Sequence, residues 1–174
     1  MRRCDGRSLR YGLFAMAMAV SLGGCSMANL AGASAFGSNK LQVAEISDIG
    51  SYTADRALAE ARAHFRNNDF GHSAAFYKRV VELRPKDAEG YVGLAASYDR
   101  LRRFDLSDRV YASLYKLSGS TVQYHNNVGY SYMLRGNLRE ALASFRKANK
   151  LDPENVVVAN NLQMLADAAA AARA

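Results

Sequence analysis

The sequence predicts an all-α protein built as a stack of helical hairpins, and two observations carry that reading. First, Pro85, Gly119 and Pro153 stand at one constant interval and close three copies of one unit that align without a gap. Second, matched columns recur between these landmarks. Small residues stand at Ala61, Ala95 and Gly129 and again at Ser73, Ser107 and Ala141, while rings stand at His64, Tyr98 and Tyr132 and at Tyr77, Tyr111 and Phe145. A single hairpin of helices cannot bury its apolar face alone, so such copies must stack on one another. The small residues let helix backbones approach, and the rings fill the space between units.

In chain order, residues 1–24 read as a secretory signal. Arg2, Arg3, Arg7 and Arg10 form a basic start and Leu13 to Leu22 a short apolar run. That run is too short for a membrane-spanning helix, which needs about 20 residues. It ends in Leu22-Gly23-Gly24-Cys25, which resembles the lipobox of bacterial lipoproteins. That resemblance implies a diacylated thiol at Cys25 and cleavage just before it; Ser26 in place of Asp implies transfer to the outer membrane, facing the periplasm. Ordinary cleavage after Ala28 or Ala35, leaving no lipid, is the alternative. Residues 25–50, rich in Ala, Gly, Ser and Asn, read as a lipidated flexible tether spanning roughly 25–30 Å on average. Val43 to Ile49 is the one stretch of it able to make an amphipathic contact, expected with the first helix.

The remaining residues, 51–174, read as one domain with repeats at about 54–87, 88–121 and 122–155 and a capping helix over 156–172. Asp152 with Pro153 reads as an N-cap followed by a proline at the first helical position. Val80 and Leu114 share a column with the small Ala148, so the first two hairpins are expected to splay. Gly119, standing where the other units have proline, is expected to loosen its joint. Leu162 continues the column of Leu94 and Val128 into the cap, whose alanine-rich tail has little to pack.

This pattern resembles the tetratricopeptide repeat family from Ala54 to Asn155, whose unit is a helix–turn–helix of about 34 residues. The resemblance implies a right-handed superhelix of three repeats plus the capping helix, with the first helix of each repeat lining a concave groove. It places Arg62, Phe65 and Arg66 of repeat one there, then Val92, Ala96, Asp99 and Arg100 of repeat two. Repeat three contributes Asn126, Asn127, Tyr130 and Met133, and the cap adds Asn160, Asn161 and Met164. An asparagine amide both donates and accepts, so the two Asn-Asn pairs, one repeat apart, suit an extended peptide backbone. The competing reading is that they only brace neighbouring helices. The charge clamp that some family members use for C-terminal carboxylates is absent, since Leu58 and Arg62 occupy the positions of its lysine and asparagine.

Charge and cysteine content narrow the function. The signal carries four arginines and Asp5, a net of +3, so its removal takes the formal charge from +7 to +4. A nucleic-acid reading thereby loses its main support. Cys4 leaves with the signal and Cys25 is modified, so the mature chain is expected to hold no disulfide and no Cys-based metal site. No catalytic motif is present, and His64 reads as a packing ring, so neither an enzyme nor a cofactor is expected. The charge runs Arg100 to Arg103 and Arg135 to Glu140 read as solvated turns and outer faces. In size, lipobox, tether and the stretch Tyr124 to Tyr130, the chain resembles the tetratricopeptide lipoproteins of tight-adherence (Tad, or Flp) pilus systems. That resemblance implies a membrane-anchored scaffold for protein partners, such as a secretin or another pilus component. A general envelope scaffold, for outer-membrane protein insertion or cell-wall enzymes, is the alternative; a periplasmic enzyme is disfavoured. Oligomeric state is not readable.

Overall fold

The computed structural model describes residues 42–171, so the expected signal, Cys25 and the tether as far as residue 41 lie outside the described residues. Seven helices follow in order: α1 (Ala54–Arg66), α2 (Phe70–Leu83), α3 (Ala88–Arg100), α4 (Phe104–Ser118), α5 (Val122–Leu134), α6 (Leu138–Leu151) and α7 (Val156–Ala171). First helices open at 54, 88, 122 and 156, and second helices at 70, 104 and 138, so the constant period of the sequence is the period of the backbone. The closest packing is within the hairpins and between successive hairpins, while α1, α3, α5 and α7 also touch in succession. That succession makes them the inner wall of a right-handed superhelix, with α2, α4 and α6 outside. The described residues contain no strand, and no described helix is long and apolar enough to cross a membrane.

Local chemistry sets the helix starts. The side chains of Thr53, Asp69, Asp87 and Thr121 accept hydrogen bonds from backbone N–H groups of the first turns of α1, α2, α3 and α5. The expected cap at Asp152 is corrected. Asp152 ends α6, Pro153 sits in the following turn, and Asn155 opens α7 by accepting from the Val158 N–H at 3.2 Å. Pro85 occupies the same place in the turn after α2, where Asp87 N donates to Arg84 O at 3.0 Å. A proline suits the second position of such a turn because its φ is already fixed. Gly119 serves differently: α4 runs to Ser118, and Gly119 ends it with φ of 69°, a conformation proline cannot adopt.

A further column is invisible as chemistry. Asn68, Arg102 and Gly136 stand at the same place in successive repeats, at positive φ of 58°, 57° and 80°, reversing the chain between the helices of each hairpin. Asparagine and glycine tolerate this region, whereas Arg102 is strained there by its Cβ. Arg102→Gly is therefore expected to stabilise the chain by about 0.5–1 kcal/mol, seen as a raised midpoint in thermal or urea melts. The same change at the exposed helical Arg146 should destabilise by a similar amount.

The core runs as three clusters along the stack. The first joins α1, α2 and α3 around Ala61, Phe76, Tyr77, Val80 and Tyr98. The second centres on Ala95, Tyr111 and Leu114, and the third on Ala141, Phe145 and Leu165, with Leu162 packed against it. Val80, Leu114 and Ala148 are all buried, and the bulk of Val80 is met by Gly90, where a Cβ would lie 3.0 Å from its Cγ1. Residues 42–52 correct the expected extent of the tether. Val43, Ile46, Ile49 and Tyr52 pack against the first cluster, and the contact is made mainly with α2. Ala44 N donates to Gly71 O at 3.1 Å, Arg79 donates to Gly50 O at 2.8 Å, and the Tyr52 and Phe76 rings lie 5.1 Å apart. The regular spacing of Val43, Ile46 and Ile49 gives this strap one sticky face, which closes the exposed end of the first hairpin.

Candidate partner-binding groove

The inner wall carries a cavity of about 320 Å³ bounded by four successive first helices. Phe65 comes from α1, Ala96, Asp99 and Arg100 from α3, Asn126, Asn127 and Tyr130 from α5, and Asn161 from α7; Tyr111 of α4 lies at its floor. Eight of the fourteen expected groove residues are thus brought together: Phe65, Ala96, Asp99, Arg100, Asn126, Asn127, Tyr130 and Asn161. The other six lie elsewhere, with Val92 half-buried against the second core cluster and Met164 exposed on α7. Arg62 is exposed and paired with Glu89 of α3, its Nε donating at 2.8 Å, and Arg66 is exposed at the end of α1. Asn160 is exposed on α7 and does not line the cavity. Met133 packs half-buried against the third core cluster, as Leu138 and Leu142 do.

The asparagines divide between bracing and availability. Asn161 Nδ2 donates to Asn126 Oδ1 at 2.8 Å, tying the cap to the third repeat. Each of these amides keeps its other polar atom, and among the described residues the Asn127 side chain has no protein hydrogen bond. Phe65 meets Phe70 edge-on at 5.2 Å, and the Arg100 guanidinium lies over the Phe70 ring at 4.3 Å. The cavity therefore offers the Phe65 and Tyr130 rings, one cation held by a π face, and amide atoms able to pair with a backbone.

Beneath it lies a buried polar network that the sequence reading missed. Asp99, placed by the family resemblance in the open groove, is only 3% exposed. Its carboxylate accepts from Tyr111 OH at 2.9 Å and from Ser131 Oγ at 2.7 Å, with Arg135 4.0 Å away. Burial raises its pKa above the ordinary carboxylate value, against the pull of the Ser107, Ser131 and Tyr111 hydroxyls and of Arg135. Burial, then Asp99, pushes the Tyr111 phenol well up, so it stays a donor. Arg135 is not the solvated charge expected of its run. It donates to Asp108 Oδ2 at 2.9 Å and lies 4.7 Å from the centre of the Phe104 ring. Leu101, in the middle of the other charge run, is buried. One signal was present: Ser97 and Ser131 share a column, and each reaches the preceding repeat, Ser97 through Ser73 at 3.0 Å and Ser131 through Asp99.

A concave inner wall built from successive first helices is the architecture of a helical-repeat domain. The family model described as tetratricopeptide repeat matches residues 122–155. The human DnaJ homolog subfamily C member 7 is 27% identical over 102 residues, which is 59% of this chain and 21% of that protein, so the chain spans about a fifth of the length of this curated relative. Among solved structures, the Arabidopsis OM64 TPR domain is similar at a TM-score of 0.57 and 19% identity, covering 66% of this chain and 94% of that one. The first TPR of Spaghetti (RPAP3), bound to the HSP90 peptide SRMEEVD, gives 0.57 and 19%, covering 67% and 93%. The fold is that of tetratricopeptide repeats, and the family model matches the third of the repeats. Such repeats generally mediate protein–protein interactions and are typically not catalysts.

Proposed function

We propose that this chain is a lipid-anchored periplasmic scaffold that holds an extended segment of a protein partner in its inner groove. The observation that carries the reading is the convergence of Phe65, Arg100, Asn127 and Tyr130 from three first helices on one cavity. Free amide atoms pair with a peptide backbone whatever its side chains, and rings grip alternate side chains. A solved neighbour of the same fold is bound to a peptide, which supports peptide binding here, although that peptide, SRMEEVD, is acidic towards its end and this chain lacks the charge clamp. The anchor rests on Leu22-Gly23-Gly24-Cys25, which would hold the groove within a tether length of the outer membrane. The resemblance to pilus-system lipoproteins supports a particular role, that of assisting assembly of an outer-membrane pilus or secretion complex with a secretin as the partner class.

The test is recovery of partners from detergent-solubilised membranes, identified by mass spectrometry. Asn127→Ala with Tyr130→Ala is expected to reduce affinity roughly thirtyfold, as a hot-spot loss of about 2 kcal/mol does. The outer-face variant Arg146→Ala should recover the partner as the wild type does. Cys25→Ser should abolish palmitate incorporation. Loss of the partner in Arg146→Ala with retention in the groove variant would move the binding surface to the convex side.

A further inference from the structure

The first repeat carries a polar side-chain cluster that the groove does not use. The backbone reverses at Asn68, at positive φ, and Asp69 N donates to His64 O at 2.9 Å, which fixes the Asp69 carboxylate beside the end of α1. Asp69 Oδ2 lies 3.0 Å from His64 Nδ1 and 2.8 Å from His72 Nδ1, so two imidazoles from different helices meet at one oxygen. All three donor atoms lie within 4.8 Å of one another. Asp69 Oδ1 meanwhile caps α2 by accepting from His72 N. Burial alone would raise the carboxyl pKa, but the hydrogen bonds from His72 and His64 hold it below the ordinary value, leaving it an anion at neutral pH.

The repeat pattern does not demand these residues. The equivalent triplets in the next two repeats are Tyr98, Arg103 and Leu106, and Tyr132, Asn137 and Glu140. Two histidines on one carboxylate are the ligand chemistry of divalent transition metals. An ion bonded at about 2.0–2.2 Å to each atom sets its ligands about 3.3 Å apart. The two histidine–carboxylate distances therefore need to open by a few tenths of an ångström, while the imidazole nitrogens, within 4.8 Å of each other, settle at the same separation. His64 is steadied by stacking on Phe76 at 5.5 Å, and His72, on the more exposed side, stacks on the His64 ring at 5.0 Å.

We propose that His64, Asp69 and His72 form a binding site for one divalent transition-metal ion of zinc's class, clipping the end of α1 to the start of α2. Nδ1 of each histidine and Oδ2 of Asp69 are the ligands, each imidazole binding as the neutral tautomer that carries its proton on Nε2, and water fills the fourth position. The site is independent of the groove and of the anchor.

The experiment is calorimetric titration of the tag-free full chain with zinc chloride, paired with visible absorption after cobalt(II) addition. The wild type is expected to bind one zinc ion at micromolar affinity, to melt at higher temperature as zinc is raised, and to give the visible bands of tetrahedral cobalt. His72→Ala removes an exposed ligand, and Asp69→Asn keeps a capping side chain while removing the anion. Each should weaken binding by more than the about 10–100-fold that loss of an outer-shell partner costs. His125→Ala, at the remaining histidine of the chain, should bind as the wild type does. Absence of saturable zinc binding in the wild type, or wild-type binding in both His72→Ala and Asp69→Asn, would overturn the site.

Discussion

Gly93→Leu is expected to cost about 3 kcal/mol, lowering the melting temperature by roughly 10 °C, at the upper end of what overpacking does. Gly93 lies inside α3, and an added Cβ would stand 2.1 Å from Cζ of Tyr77, whose ring lies flush against the helix backbone. Tyr77 is buried in the first core cluster, so its ring has no free direction in which to retreat. Even Gly93→Ala should destabilise, although alanine is the better helix former by nearly 1 kcal/mol. A gain in stability for that variant would show that the ring does not pack there. In a Tyr77→Leu background the penalty should shrink, because the clash partner is gone. Gly129→Leu should behave alike for a related reason: its Cβ would meet the Phe145 ring at 2.6 Å. The two glycines serve different seams, since Gly93 admits a ring from the preceding repeat and Gly129 a ring from its own.

These seams show what the sequence could and could not reveal. The small and aromatic columns were legible because identical packing demands recur in every repeat. Gly93 was not, because its column continues as Asn127 and Asn161, where an amide replaces the ring-facing gap. The positive-φ column escaped for a similar reason: asparagine, arginine and glycine share a backbone need without sharing side-chain chemistry. Residues 42–50 looked like tether because their apolar residues are few, and only the exposed flank of α2 gives them something to cover. The groove was half legible. Phe65, Arg100 and Tyr130 follow from the register of first helices, but whether an asparagine braces or binds depends on whether a neighbour lies within reach, as Asn161 does for Asn126.

Asp99 is the case where register misled, and it carries the other large expected effect. Phe65, Asp99 and Met133 share one column, and Phe65 and Asp99 both border the cavity, yet Asp99 is buried between the second and third repeats. The difference arises because Tyr111 and Ser131 supply hydroxyl donors and Arg135 a cation, which together make burial of a carboxylate tolerable. Asp99→Ala should therefore cost about 3–5 kcal/mol, since it orphans buried donors and leaves Arg135 with one anion fewer. Asp99→Asn keeps the shape and should cost less. The pH dependence has a definite sign. Burial raises the folded pKa above the ordinary value of 3.8, so the folded chain holds this proton to higher pH than the unfolded chain does. Asp99 thus favours folding most at acid pH, and that contribution is lost as pH rises through the raised pKa. The stability of Asp99→Asn relative to the wild type should accordingly improve across that window in urea melts at stepped pH. A relative stability that instead worsens with rising pH would place the folded pKa below the unfolded one, making the hydroxyls and Arg135, not burial, the stronger influence on this carboxylate.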